Sequence, residues 1–297
     1  MLDIRHAPSL AEKTTLRIGG RAIAEVLLHT PEDCLRLPET VRALGGTAYI
    51  LGAGSNILAR DGELPLVLVR PALREAPVLT PHDETTLVRV GAGVRLPRLL
   101  GFCAAQGLSG LEGLCGIPGT VGGAVAMNAG SYGTETCSHL YSVEVFTPER
   151  GVQTYFADDL EYGYRHFVLK EKIGDFIILG ATFDLTHAES GGIKKHMSLN
   201  FFKKKSTQPV SAYSAGCVFK NPETGLSAGK LLDQAGFRGK KCGGMAFSDM
   251  HANFLINEGQ GTSAAAFDLI AQAQDAVARQ FGIALELEVR VIPWQSR

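Results

Sequence analysis

Apolar positions recur along this chain in two rhythms. Ile23 to Leu28 is an almost unbroken apolar run that reads as a strand, and Pro31 to Leu44 has helical spacing opened by a proline. With Thr47 to Leu51 as a second strand, the segment predicts a small βαβ unit. A further run, Leu64 to Val69, reads as a buried strand. From Thr86 to Phe183, strand candidates at Leu87 to Val90, Val143 to Phe146 and Phe176 to Leu185 surround one helix near Leu96 to Gln106. The pattern is that of a mixed α+β region.

In the last third, a helix is expected from about Leu226 to Ala235, closed by Gly236. A longer one is expected from Thr262 to Phe281, where Thr262 supplies an N-cap, Phe267, Ile270, Gln274, Val277 and Phe281 share a face, and Gly282 ends it. Leu285, Leu287, Val289 and Val291 alternate with Glu286, Glu288 and Arg290, which predicts a final strand with three charged side chains on one face. That face is either ordinary wet surface or a carboxylate-bearing wall of a cleft. Between 187 and 208 the composition shifts to His187, Lys194, Lys195, His196, Lys203, Lys204 and Lys205. This reads as a domain boundary bridged by a solvated helix face, in which only Lys205 is a candidate ligand contact.

Composition narrows the function classes. With 297 residues, 45% of them hydrophobic and 20% charged, the chain is long enough for two or three cores. A formal net charge of −1 provides no basic field for nucleic acid or acidic membrane, so small molecules are the expected partners. The six cysteines form no CxxC pair and no His/Cys cluster, which argues against zinc and against a disulfide framework and fits a reducing cytoplasm. The N-terminal residues lack the apolar core of a signal peptide, and no stretch approaches the ~20 apolar residues of a bilayer span.

The 35 glycines cluster at 19–20, 52–54, 107–133 and 216–244, where backbone is brought close to something. Gly52-Ala53-Gly54-Ser55-Asn56 follows a predicted strand but has Ile57 where a dinucleotide fingerprint needs its third glycine. What survives is a turn whose N–H groups, with Ser55 and Asn56, suit a pyrophosphate. Gly225 to Lys230 is one residue too short for a P-loop and continues with Leu231 where a hydroxyl is required. The tract Gly113 to Gly130 fits neither a helix nor a strand and is nearly uncharged. A backbone of this kind suits a flat, apolar ring system with hydrogen-bonding edges.

Ser214-Ala215-Gly216-Cys217-Val218-Phe219-Lys220-Asn221-Pro222 sets a thiol beside a glycine, a cation and an amide. Cys217 reads either as a chemical residue or, beside Val218 and Phe219, as a buried small hydrophobe.

Seven motifs in order decide between these readings. Thr15-Leu16-Arg17-Ile18-Gly19-Gly20, the Gly52 to Asn56 loop, Gly116-Ile117-Pro118-Gly119 through Met127-Asn128-Ala129-Gly130, Tyr164-Arg165, the Cys217 segment, His251-Ala252-Asn253-Phe254 and Glu288-Val289-Arg290 resemble the UDP-N-acetylenolpyruvoylglucosamine reductase family. The likeness covers roughly residues 14 to 292 and the shorter form of the family. It implies an α+β fold in which a two-part FAD-binding region of the vanillyl-alcohol-oxidase (PCMH) type (1–72 and 73–190) is joined to a C-terminal α+β domain for a UDP-sugar (191–297). It implies FAD as cofactor and NADPH as hydride donor, and Gly52, Ala53, Gly54, Ser55, Asn56, Gly116, Ile117, Pro118, Gly119, Gly122, Gly123, Ala124, Asn128, Ala129 and Gly130 as cofactor-binding residues. The substrate implied is UDP-N-acetylglucosamine-enolpyruvate, contacted by Tyr164, Lys205 and Asn221, with a cytoplasmic monomer expected.

On the same resemblance, hydride adds to C3 of the enolpyruvyl group and charge develops toward the carboxylate. Arg165 then stabilises the enolate, and Glu288 assists as an acid if burial raises its pKa. Cys217 stands where the family usually has the serine that protonates C2, and a thiol titrating near ~8.5 is the stronger acid of the two. Phe167, Tyr213 and Pro293 also depart from the family pattern. His251 is either a ligand contact or a satisfied histidine fixing the loop before Asn253. The alternatives are a flavin oxidase on the same scaffold and a UDP-sugar sensor without activity.

Overall fold

The computed structural model describes residues 2–171, 173–223 and 225–293. By the contacts between its residues the chain divides into two units. The first comprises 1–5, 24–53 and 67–203, and the second 6–23, 54–66 and 204–297, whose last four residues lie outside the described ones.

In the first unit an antiparallel sheet runs in the order Gly151–Phe156, Leu140–Thr147, Ile177–His187, Thr85–Gly91, Val78–His82. Alternation decides its faces: in Thr85–Gly91, Thr86, Val88 and Val90 are buried while Thr85, Leu87 and Arg89 are not. The helix Leu96–Gln106 buries Leu96, Leu99, Leu100, Cys103 and Ala104 and stops at Gly107 in the left-handed region, as its spacing predicts. Leu96, Leu99, Leu100 and Cys103 share a core with Val143, Val145, Phe183 and Leu185. A second core in this unit joins Val26, Leu28, Val67, Val69 and Leu179.

The second unit holds the antiparallel sheet Tyr213–Cys217, Phe254–Asn257, Met245–Phe247, Lys241–Cys242. The helix Ser263–Phe281 lays Ala266, Leu269, Ile270, Ala273 and Val277 into the core formed with Val218, Phe219 and Phe247. The Thr262 hydroxyl accepts from the Ala265 amide, and Gly282 closes the helix at φ 68°, which matches both predicted caps.

Four expectations need correction. Pro31 to Leu44 is two elements, a 3₁₀ helix Pro31–Arg36 and an α-helix Leu37–Leu44, because Pro38 has no N–H to continue the first ladder. The glycine tract contains a short helix, Val121–Ala126, capped by the Thr120 hydroxyl. The helix expected from Leu226 spans Ala228–Gln234, with Ser227 as N-cap. The final strand is regular only over Arg290–Ile292, parallel to Ile57–Ala59, and touches its other neighbour through one bridge, Leu287 to Phe219. The predicted solvated lysine run is the helix Ser190–Thr207, although Lys204 within it is buried.

Candidate active site

Each unit brings together part of the predicted set. In the first, Tyr164 and Arg165 form the two-residue turn between Leu160–Gly163 and His166–Leu169, paired Gly163 to His166. The Arg165 guanidinium lies 5.0 Å from the centre of the Tyr164 ring. Arg165 also sits at φ 58°, a conformation that a non-glycine residue adopts at a cost of order 1–3 kcal/mol. The turn is tied to the glycine tract by Asn128, whose buried amide donates to the Gly163 carbonyl at 3.0 Å and to Glu135 at 2.8 Å. Its side-chain oxygen accepts from the Cys137 amide at 3.0 Å. The Asn128 side chain is therefore committed to holding the Tyr164-Arg165 turn beside the tract.

The tract sorts its own glycines. A Cβ at Gly122 would lie 2.8 Å from the Ala92 Cβ, so packing alone demands glycine there. Gly123, in contrast, is exposed, lies in a helix, and would place a Cβ no closer than 3.4 Å to Thr120 Oγ1. Neither packing nor conformation requires glycine at 123, and the missing side chain leaves its backbone open to close approach. With Pro118 exposed and Gly116 and Ile117 half-buried beside it, the tract fits the flat ring of a flavin. At the edge of the same unit, a Cβ on Gly52 would approach Thr120 Oγ1 to 2.7 Å, and the Gly52 carbonyl accepts from Arg70 Nη1 at 2.9 Å. Arg70 Nε in turn binds Glu25 at 2.7 Å, a carboxylate with only 1% of its side chain exposed.

In the second unit, the strand carrying Cys217 is bulged. Ser214 pairs with Ile256 and Cys217 with Phe254, so three steps on one strand oppose two on the other. Gly216 absorbs the extra residue at φ 81°, and its amide donates to the Ser214 hydroxyl oxygen at 3.0 Å. The bulge leaves Cys217 half-buried, while Val218 and Phe219 beyond it enter the core. The Val218 carbonyl accepts from the amides of Glu288 at 2.7 Å and Val289 at 3.3 Å, which draws the predicted last strand alongside Cys217 and breaks its regularity.

Asn56 reaches the same place. Its side-chain amide donates to the Glu288 carbonyl at 3.2 Å, and its own carbonyl accepts from the Arg290 amide at 3.0 Å. Asn221 accepts the Ala228 amide at 3.1 Å at the start of the helix Ala228–Gln234, and Lys220 pairs with Glu286 at 3.3 Å on the surface. Lys205 is exposed, whereas its neighbour Lys204 is 4% exposed. His251 is the satisfied histidine: Nδ1 accepts the Asn253 amide at 3.3 Å.

Three contributors carried a weak signal in the sequence. Glu25 interrupts the apolar run Ala22 to Leu28, and a charge there requires a partner such as Arg70. Thr120 precedes a glycine pair that hides its helix. Asn253 lies in a recognisable motif without a role that spacing alone reveals.

Among the described residues, no group of three or more His, Cys, Asp and Glu side chains is placed to hold a metal, and no helix is long and apolar enough to cross a membrane.

Residues 22–154 match the family described as "FAD binding domain", and residues 208–292 match "UDP-N-acetylenolpyruvoylglucosamine reductase, C-terminal domain". A protein named UDP-N-acetylenolpyruvoylglucosamine reductase from Nitratidesulfovibrio vulgaris is 55% identical over 295 residues, 99% of this chain and 100% of that protein. One of the same name from Lactobacillus gasseri is 36% identical over 292 residues, 98% of this chain and 94% of that protein. The crystal structure of UDP-N-acetylenolpyruvylglucosamine reductase from Thermus caldophilus superposes with a TM-score of 0.79 at 35% identity, covering 99% of both chains. The chain is thus an α+β, FAD-containing oxidoreductase.

Proposed function

Because the chain belongs to the UDP-N-acetylenolpyruvoylglucosamine reductase family, we propose that it uses NADPH to reduce UDP-N-acetylglucosamine-enolpyruvate to UDP-N-acetylmuramate, with Cys217 as the proton donor. FAD, which Gly52 to Asn56, Gly116 to Gly119, Gly122 to Ala124 and Asn128 to Gly130 would hold, would supply the hydride chemistry, with NADPH as donor and C3 of the enolpyruvyl double bond as acceptor. As the C3–H bond forms, the π pair moves toward C2 and into the carboxylate. The Arg165 guanidinium, which keeps its charge at any working pH, stabilises that enolate with a fixed fork of donors. Glu288 is assigned to the same developing charge, as an acid near the enol oxygen. Transfer of the Cys217 Sγ proton to C2 completes the lactyl ether and leaves a thiolate that solvent reprotonates.

The observation that carries this reading is the bulge at Gly216, which turns Cys217 out of a strand whose next two residues are core, beside the segment bearing Glu288. Tyr164, Lys205 and Asn221 are assigned to the substrate, Lys205 supplying a cation for its diphosphate. Gly52 to Asn56, Gly116 to Gly119, Gly122 to Ala124 and Asn128 to Gly130 are assigned to FAD, Asn128 and Asn56 through their backbone. Residues 1–72 and 73–190 form the cofactor part and 191–297 the substrate part of a cytoplasmic monomer.

Anaerobic half-reactions test the assignment. Cys217→Ala is expected to leave bleaching of the flavin by NADPH intact and to slow its reoxidation by the enolpyruvyl sugar by about 10²–10⁴-fold, the usual worth of general acid catalysis. Cys217→Ser should keep measurable turnover. Wild-type reoxidation in the alanine variant removes Cys217 from the reaction.

A further inference from the structure

We propose that Asn253 is a positioning residue for Cys217, a role that rests on the proton-donor reading above. Three hydrogen bonds converge from this one residue on the backbone of the two residues that follow the cysteine. The Asn253 carbonyl accepts from the Val218 amide at 2.8 Å. Its side-chain oxygen accepts from the Phe219 amide at 3.0 Å, and its side-chain nitrogen donates to the Phe219 carbonyl at 2.8 Å. Asn253 is 2% exposed, and its side-chain amide is turned inward onto Phe219.

The geometry explains why an amide stands there. A bulge is a soft point in a ladder, because its extra residue gives up regular pairing on one side. The Ser214 to Cys217 strand loses register with Phe254–Asn257 at Gly216, immediately before the sulfur-bearing residue. Without a clamp beyond the bulge, the Cys217 Cα–Cβ vector is free to swing. A side chain that both donates and accepts grips one residue, Phe219, at both of its backbone polar groups, which fixes the two peptides flanking the Phe219 Cα. From the opposite side, the Val218 carbonyl receives the Glu288 amide at 2.7 Å. Val218 is thus held between Asn253 and Glu288, and through it the spacing between the two proposed acids is set.

The clamp is itself supported. The Asn253 backbone N–H donates to His251 Nδ1 at 3.3 Å, and the His251 ring packs edge-on against Phe254 with centroids 5.0 Å apart. The Asn253 backbone is thus held on the side away from Val218 as well.

The consequence is a coupling between Asn253 and Cys217 that packing alone does not produce. Asn253→Asp keeps the size and the acceptor for the Phe219 amide but replaces the donor with an oxygen facing the Phe219 carbonyl. Asn253→Ala removes both bonds. For each we expect NADPH to bleach the flavin at the wild-type rate and the substrate KM to stay within about twofold. Reoxidation by the enolpyruvyl sugar is expected to slow by about 10²-fold, as for a displacement of a reacting group by an ångström. In a Cys217→Ala background the same substitutions should slow reoxidation no further, because the group they aim is gone. Iodoacetamide labelling of Cys217, followed by mass spectrometry of its peptide across pH, supplies a readout independent of turnover. Its profile should shift in Asn253→Asp and remain unshifted in a control destabilised elsewhere to the same extent.

Equal losses with and without the cysteine, or equal losses in both half-reactions, overturn the positioning role and leave Asn253 a structural residue. If Asn253→Ala fails to fold, Asn253→Asp decides. If Cys217→Ala itself reoxidises at the wild-type rate, the proton-donor reading falls, and the labelling profile then decides alone whether Asn253 aims the sulfur.

Discussion

Asn56 and Glu288 are joined by a hydrogen bond of 3.2 Å across 232 residues of sequence, from the side-chain amide of the first to the carbonyl of the second. A second bond, from the Arg290 amide to the Asn56 carbonyl at 3.0 Å, makes Asn56 a bracket around the residue that bears the proposed acid. Replacing it by alanine leaves the Glu288 carbonyl without this donor, at about 1 kcal/mol for a partly buried bond. Asn56→Ala is expected to lower the melting temperature by a few °C and to slow substrate-driven reoxidation while FAD affinity stays near wild type. A large loss of FAD affinity with an unchanged reoxidation rate would show that the amide serves the cofactor instead.

Glu25 and Arg70 form a buried pair that carries the Gly52 carbonyl on its outer edge. Removing one partner of such a pair strands the other charge, which typically costs about 3–5 kcal/mol. Arg70→Met should therefore destabilise the fold by about that amount and weaken FAD binding to the apoprotein, read by urea unfolding and by titration. Arg70→Lys should rescue little, since one ammonium cannot reach both Glu25 and Gly52 with the geometry of a guanidinium. Arg70 Nη2 is buried with no hydrogen-bond partner among the described residues, so the pair is already incompletely satisfied.

Gly54 and Gly216 both have positive φ, 67° and 81°, yet they should respond differently to alanine. At Gly54 a Cβ would run into the Lys13 carbonyl, so backbone must move. At Gly216 nothing lies within 4 Å of the added carbon, which leaves only the conformational cost of about 1–2 kcal/mol. Gly216→Ala is expected to fold, with reoxidation slowed more than stability is reduced, because the bulge is what aims Cys217. Gly54→Ala is expected to give little soluble, flavin-loaded protein. Comparable yields and melting temperatures for the two would contradict this account.

Where local sequence and tertiary packing agree, the chain is legible. The helix Ser263–Phe281 has a capping threonine, an apolar stripe and a terminal glycine, all read from spacing. Likewise, Cys217 stood out beside Gly216, and the bulge gives that glycine its reason. What escaped depends on partners distant in sequence. Alternation at Leu285 to Val291 predicts a long strand, but the Val218 carbonyl gathers two consecutive amides there and ends the regular pairing. The helix Val121–Ala126 is hidden by Gly122-Gly123, the poorest of helix formers short of proline, and forms because Thr120 caps it and Val121, Ala124 and Val125 are buried. The roles of Asn128 and Asn253 are set wholly by which carbonyls and amides arrive beside them.

His251 gives the second unit a pH dependence with a definite sign. Burial lowers its pKa from the ordinary value, the Arg238 cation lowers it further, and a hydrogen bond with its own backbone works the other way without reversing the shift. The ring is thus held neutral in the fold, as required for Nδ1 to accept the Asn253 amide. In the unfolded chain a histidine takes up its proton near pH ~6.5. As pH falls below that value the unfolded state gains the proton first, so the contribution of His251 to stability is fully present above ~6.5 and is lost on the way down to the folded pKa. Urea unfolding at pH 7.5 and 5.5 should show a smaller loss on acidification for His251→Gln, whose side chain can accept the same amide without titrating. An identical loss in both proteins would mean that His251 charges as readily in the fold as outside it.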